Sequence, residues 1–162
     1  MLYLTFIGAS LIAVTVLLHA AVTVGWVRRL ARMFGDNDGH WRAGRFLLVL
    51  VTTVLVLIAL HAVEIAIWAI AYDWVLPQSE LEDFETALYF SFVTFTTLGY
   101  GDITLSEGWR LLSGIEALNG LLLVGWTTAL LFAIVQRGWQ GVELASSSVA
   151  SKDKNTGDSN NE

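Results

Sequence analysis

From Leu2 to Val27 the chain carries no charged residue, and two further apolar runs follow, Phe46 to Ala71 and Trp109 to Val135. A helix needs about 20 apolar residues to cross about 30 Å of hydrocarbon, so each run can span a bilayer with some tilt. The first run lacks a preceding basic segment and exceeds a signal-peptide core of about 7–15 residues, which predicts a retained helix. Composition agrees: 55% of residues are hydrophobic and 15% charged, against about 45–50% and about 25% in soluble domains. Without Cys there is no disulfide framework, thiolate metal site or Cys nucleophile. A net charge of -6 offers no basic surface for nucleic acid. No Ser/His/Asp arrangement or phosphate loop suggests an enzyme.

A fourth apolar stretch, FETALYFSFVTFT from Phe84 to Thr96, is too short to cross. It follows an acidic group (Glu80, Glu82, Asp83) that suits a helix N-terminus, and Glu85 lies in its first turn. A short helix between two spans, followed by a glycine-bearing turn, reads as re-entrant. Non-helical backbone at that depth must be buried in protein or line water. The expected elements are spans at 2–27, 46–72 and 109–137, an Arg-rich loop at 28–45, a short helix at 83–96, a loop at 97–102 and a disordered polar tail at 138–162.

Five of the nine basic residues (Arg28, Arg29, Arg32, Arg42 and Arg45) lie between the first two spans, and Arg137 closes the third. The link between the second and third spans holds seven acids and no base before Arg110. The positive-inside tendency therefore predicts a cytoplasmic Arg-rich loop and C-terminus, an outer N-terminus and a re-entrant segment entering from outside. Trp26, Trp41 and Trp139 would mark the inner interface, Trp74 and Trp109 the outer one. The Arg-rich loop could also hold anionic lipid headgroups.

The loop reads Thr96-Thr97-Leu98-Gly99-Tyr100-Gly101-Asp102. Gly99 and Gly101 admit backbone angles that side chains disfavour. With Leu98 and Tyr100 alternating, this permits a strand whose successive carbonyls face one side, and four such strands around an axis would stack rings of oxygen. Leu98 and Tyr100 would pack behind the strand, and Thr97 would add a hydroxyl ring at the inner end.

The run ALYFSFVTFTTLGYGD resembles the pore loop of the potassium channel superfamily, whose filter is usually T-V-G-Y-G-D. Thr97, Leu98, Gly99, Tyr100 and Gly101 fall on the five filter positions, with Leu98 in place of Val. The Tyr89-Phe90 pair is similar to two-pore-domain potassium channels, where bacterial two-helix channels more often carry a Trp pair. The likeness covers roughly 68–137, and the arrangement as a whole resembles a small prokaryotic family of pore-loop ion channels. It implies an all-α membrane protein with a potassium-channel pore fold, in the cell membrane (the inner membrane if bacterial). Selection of K⁺ would be by backbone carbonyls of Thr97, Leu98, Gly99 and Tyr100, with K⁺ as permeant ion and no organic cofactor. One filter per chain implies a cyclic homotetramer.

Gly120 falls where the family's inner helix often has a gating hinge, with ordinary helix packing as the plainer reading. Val124 and Thr128 follow on the same helix face and would line a cavity. Asp102 and Glu107 would form an acidic outer mouth, or simply a solvated loop face. His61, Glu64, Glu116 and Asn119 are the unusual residues, because ionisable side chains inside a span seek interior partners. Counted from Ala71 and Trp109, Glu64 and Glu116 fall at one depth, with His61 and Asn119 a turn deeper. That predicts a single polar cluster behind the loop, serving assembly or control of the filter. His61 and Glu64 also have a possible metal-ligand spacing, i,i+3. Counted from the inner ends of their apolar runs, His19 and His61 fall at different levels, which argues against a shared haem or metal site. A non-selective or regulatory pore subunit is one alternative, and a small metal- or haem-binding membrane protein is the remote one. No span carries regularly spaced arginines, so no voltage sensor of the usual kind is expected.

Overall fold

A computed structural model describes residues 2–34, 43–77 and 79–158. Trp41 and Arg42 of the Arg-rich loop lie outside the described residues, as do the last four residues of the tail. Regular structure among the described residues is helical throughout: α1 (Leu2–Phe34), α2 (Ala43–Val75), α3 (Phe84–Phe95) and α4 (Arg110–Asp158). Three helices are long and apolar enough to cross a membrane, over Leu2–Arg32, Phe46–Val75 and Arg110–Trp139. The chain is thus an all-α, multi-pass membrane protein.

The helices outrun the apolar stretches that predict them. α1 continues through Arg28, Arg29 and Arg32 to Phe34, since arginine can extend its stem along a helix while its head stays in water. α2 ends at Val75 rather than 72. α4 passes Arg137 and remains helical to Asp158, where composition predicts disorder from 138. Extending an existing helix needs no new nucleus, and no proline interrupts this segment.

Side-chain contacts set the register. Trp26 Nε1 donates to Thr53 Oγ1 at 3.0 Å and His19 meets Glu64, so α1 and α2 are antiparallel. Trp26 therefore faces a neighbouring helix. A Cβ on Gly8 would lie 2.9 Å from the Ile115 side chain, and Asn119 Nδ2 donates to Thr15 Oγ1 at 2.8 Å, so α1 and α4 run parallel. Small residues that let helices approach, and polar pairs between them, are the usual cement of membrane bundles. The core gathers Trp68, Tyr72, Phe90, Phe95, Leu112 and Leu123 around α3, with the Tyr72 and Phe90 rings edge to face at 5.3 Å.

The three spans bury only 22, 22 and 17% of their apolar windows within the chain. That leaves far more apolar surface than water tolerates, and lipid or further protein must cover it.

Candidate functional site

α3 is made by local chemistry. Asp83 caps it, its carboxylate accepting from the Thr86 N–H at 2.8 Å, and this bond holds the Asp83 carboxyl below its ordinary range. Capping of this kind satisfies an amide that the helix leaves open. The other end closes differently: the N–H groups of Leu98 and Gly99 both point back to the Val93 carbonyl, at 3.0 and 3.3 Å, and Thr97 N–H points to Thr94.

This closure orients the loop. In a trans peptide the N–H of one residue and the carbonyl of the preceding one point in opposite directions. The amides of Leu98 and Gly99 face α3, so the carbonyls of Thr97 and Leu98 face away from it. Beyond them, positive φ recurs at every second residue: Thr97 (59°), Gly99 (56°) and Gly101 (79°). Left-handed angles at alternate residues are the backbone pattern that lets successive carbonyls turn to one side of a chain. Among the described residues no hydrogen bond ends on the carbonyls from Thr97 to Gly101. The sequence anticipates the two glycines; Thr97, a β-branched residue in the left-handed region, is not anticipated and is the strained member.

Ties outside the loop fix it. Tyr89 on α3 donates from its hydroxyl to Asp102 Oδ2 at 2.7 Å, which holds Asp102 below the ordinary carboxylate range. Ser106 N–H donates to Glu80 at 2.8 Å, and Ser106, through its side chain and its amide, holds Glu80 low as well. Arg110 Nε donates to the Leu105 carbonyl at 3.1 Å. Leu98 and Tyr100 are 53 and 68% exposed. Beside them a cavity of about 500 Å³ opens between α3, the loop and the start of α4, lined among others by Val93, Gly99, Asp102 and Ala117. Glu107 lies exposed in the turn before α4.

Gly120 meets the other end of α3. A Cβ there would run into the Phe95 carbonyl oxygen, so the absent side chain lets α4 sit against α3 backbone just before the loop. α4 is a single unbroken helix through this point. Val124 and Thr128 lie on an exposed face of α4, the Thr128 hydroxyl returning to the Val124 carbonyl at 2.9 Å.

The four polar residues expected as one cluster are divided. Both Nδ1 atoms of His19 and His61 lie 2.9 Å from separate oxygens of Glu64, and His61 Nε2 is hydrogen-bonded to Thr127 Oγ1 at 2.9 Å. Glu116 instead accepts from the Tyr72 hydroxyl at 2.8 Å, and Asn119 reaches Thr15. The depths differ because α2 ends later than its apolar run: Glu64 is eleven residues from Val75, Glu116 six from Arg110. The separation of His19 from His61 is also corrected, their ring centroids lying 5.6 Å apart. Counted from the true helix ends, His19 is fifteen residues before Phe34 and His61 eighteen after Ala43, about one turn of difference. A signal for His19 was present: Gly8, Thr15, His19, Thr23 and Trp26 form a polar and small-residue stripe along an otherwise apolar helix. Thr15, His19 and Thr23 are buried.

A family described as an ion channel matches over residues 46–137, more than half of the chain. The match takes in α2, α3, the loop and the first part of α4, leaving α1 outside. No curated protein and no solved structure matches the chain.

Proposed function

The chain belongs to this ion channel family, and from that premise we propose that it is a potassium-selective channel subunit acting as a homotetramer. Ions move passively down their gradient, and the loop 97–101 is the filter. The observation that carries this reading is the alternation of left-handed backbone at Thr97, Gly99 and Gly101, with the amides of Leu98 and Gly99 turned back to Val93. Carbonyls on one face, free of protein partners, are the groups that replace an alkali ion's hydration shell.

One chain supplies one strand of such a cage. The exposure of Leu98 and Tyr100 supports completion by neighbouring copies, which would cover both side chains and the cavity beside them. Asp102 and Glu107 form the acidic mouth, and α3 directs its C-terminal dipole toward the central axis. Val124 and Thr128 line the cavity below, and Gly120 joins filter to inner helix. The Arg-rich loop and C-terminus lie in the cytoplasm, the N-terminus outside, and Arg28, Arg29 and Arg32 meet anionic headgroups.

Flux from liposomes containing the purified chain tests the proposal. K⁺ should pass far faster than Na⁺, and cross-linking in the same liposomes should give tetramers. Equal K⁺ and Na⁺ rates would favour a non-selective pore, and a stable monomer would end the reading.

A further inference from the structure

We propose that His19, His61 and Glu64 form a binding site for a divalent first-row transition ion of the zinc class within the helix bundle. The three residues each offer a ligand atom, and these atoms lie within 4.8 Å of one another. Two imidazoles and a carboxylate suit zinc and its neighbours, whereas calcium and magnesium favour oxygen alone. Each Nδ1 lies 2.9 Å from a different oxygen of the same carboxylate. Ligands about 2.1 Å from a shared tetrahedral ion stand about 3.4 Å apart, so small side-chain movements open the space required.

Hydrogen bonding alone leaves this arrangement incomplete. A carboxylate only accepts, so each Nδ1 carries the proton when the imidazoles are neutral. His19 is fully buried, and its Nε2 then has no partner. With an ion at Nδ1 the proton moves to Nε2: the imidazoles stay neutral and Glu64 supplies one negative charge. His61 Nε2–H then donates to Thr127, the outer hydrogen bond that orients a ligating histidine. The His19 ring lies 5.4 Å from the Trp126 indole. His61, 17% exposed, is the one ligand of the three open to an arriving ion.

The ion would join α1 to α2, with Thr127 extending the link to α4. His61 also faces Phe95 at 6.0 Å, so the site adjoins the end of α3. Binding itself does not depend on the potassium reading and is measurable on a chain that conducts nothing.

Full-length protein in detergent is titrated with Co²⁺, followed by visible absorption and by elemental analysis after desalting. We expect one ion per chain with a tetrahedral spectrum, displaced by Zn²⁺ and not by Mg²⁺ or Ca²⁺. Glu64→Gln and His19→Gln should abolish the spectrum. Thr127→Val, which keeps all three ligands, should weaken binding by about 10–100-fold. A featureless spectrum with no retained metal in the unaltered protein, displacement by Ca²⁺, or unchanged binding in Glu64→Gln overturns the proposal. The unaltered protein alone decides the matter should a variant fail to assemble.

Discussion

The loop 97–101 and the His19–Glu64–His61 group use opposite means of presenting polar atoms. In the loop the unpartnered polar atoms belong to the main chain, side chains are exposed, and glycine supplies two of the three left-handed angles. In the buried group the working atoms are side-chain tips, held by two helices whose residues lie 45 positions apart. The first is a local construction, set by a few consecutive residues and the end of one helix. The second exists only once α1 has docked. Variants should therefore harm the two regions in different ways, conduction in one and assembly in the other.

The largest effect is expected at Gly99. Its φ of +56° is costly for any L side chain, while nothing lies within 4 Å of where a Cβ would stand. Gly99→Ala should abolish K⁺ flux while lowering the assembled protein's stability by only about 1–2 kcal/mol, the strain of one residue; flux lost only together with assembly would erase the contrast. Glu64→Ala should do the reverse in kind, leaving two buried imidazole N–H groups without their acceptor at a cost of about 3 kcal/mol, read by thermal unfolding in detergent. A smaller loss would show that α1 is loosely docked. Gly120→Ala comes next, at about 1–3 kcal/mol, because the new methyl must displace α3 backbone. It should also lower flux, since it touches the seat of the loop.

The mildest change concerns Tyr89→Phe. Tyr89 holds Asp102 below its ordinary range, so their contact contributes fully above that range and is lost as pH falls through the lowered value. Without the hydroxyl, Asp102 should titrate at higher pH. Any acid-induced loss of flux should then begin at a less acidic pH than in the unaltered protein. An unmoved pH profile would detach Asp102 from conduction.

The same contrast explains what could be read in advance. Three spans, a short fourth helix and the glycine-punctuated loop are one-dimensional features, and all were legible. Thr97 at positive φ was not, because its angle is imposed by the amides that fold back on Val93. The polar pairs were misassigned through depth. Arg28 looked like a membrane boundary, yet α1 runs on to Phe34, and that extension raises His19 to the level of His61. Similarly, the few residues α2 adds beyond 72 separate Glu64 from Glu116. Hydropathy shows where lipid contact ends and leaves the end of the helix to be found elsewhere.

The place where Gly120 touches Phe95 fixes the rotation of α4. Rolling α4 about its own axis would bring a neighbouring side chain, Asn119 or Leu121, against a carbonyl that has no room for one. Beyond this point Thr127 is tied to His61 and Gly138 lies against the Phe46 ring of α2, so α4 is gripped at three heights along its length.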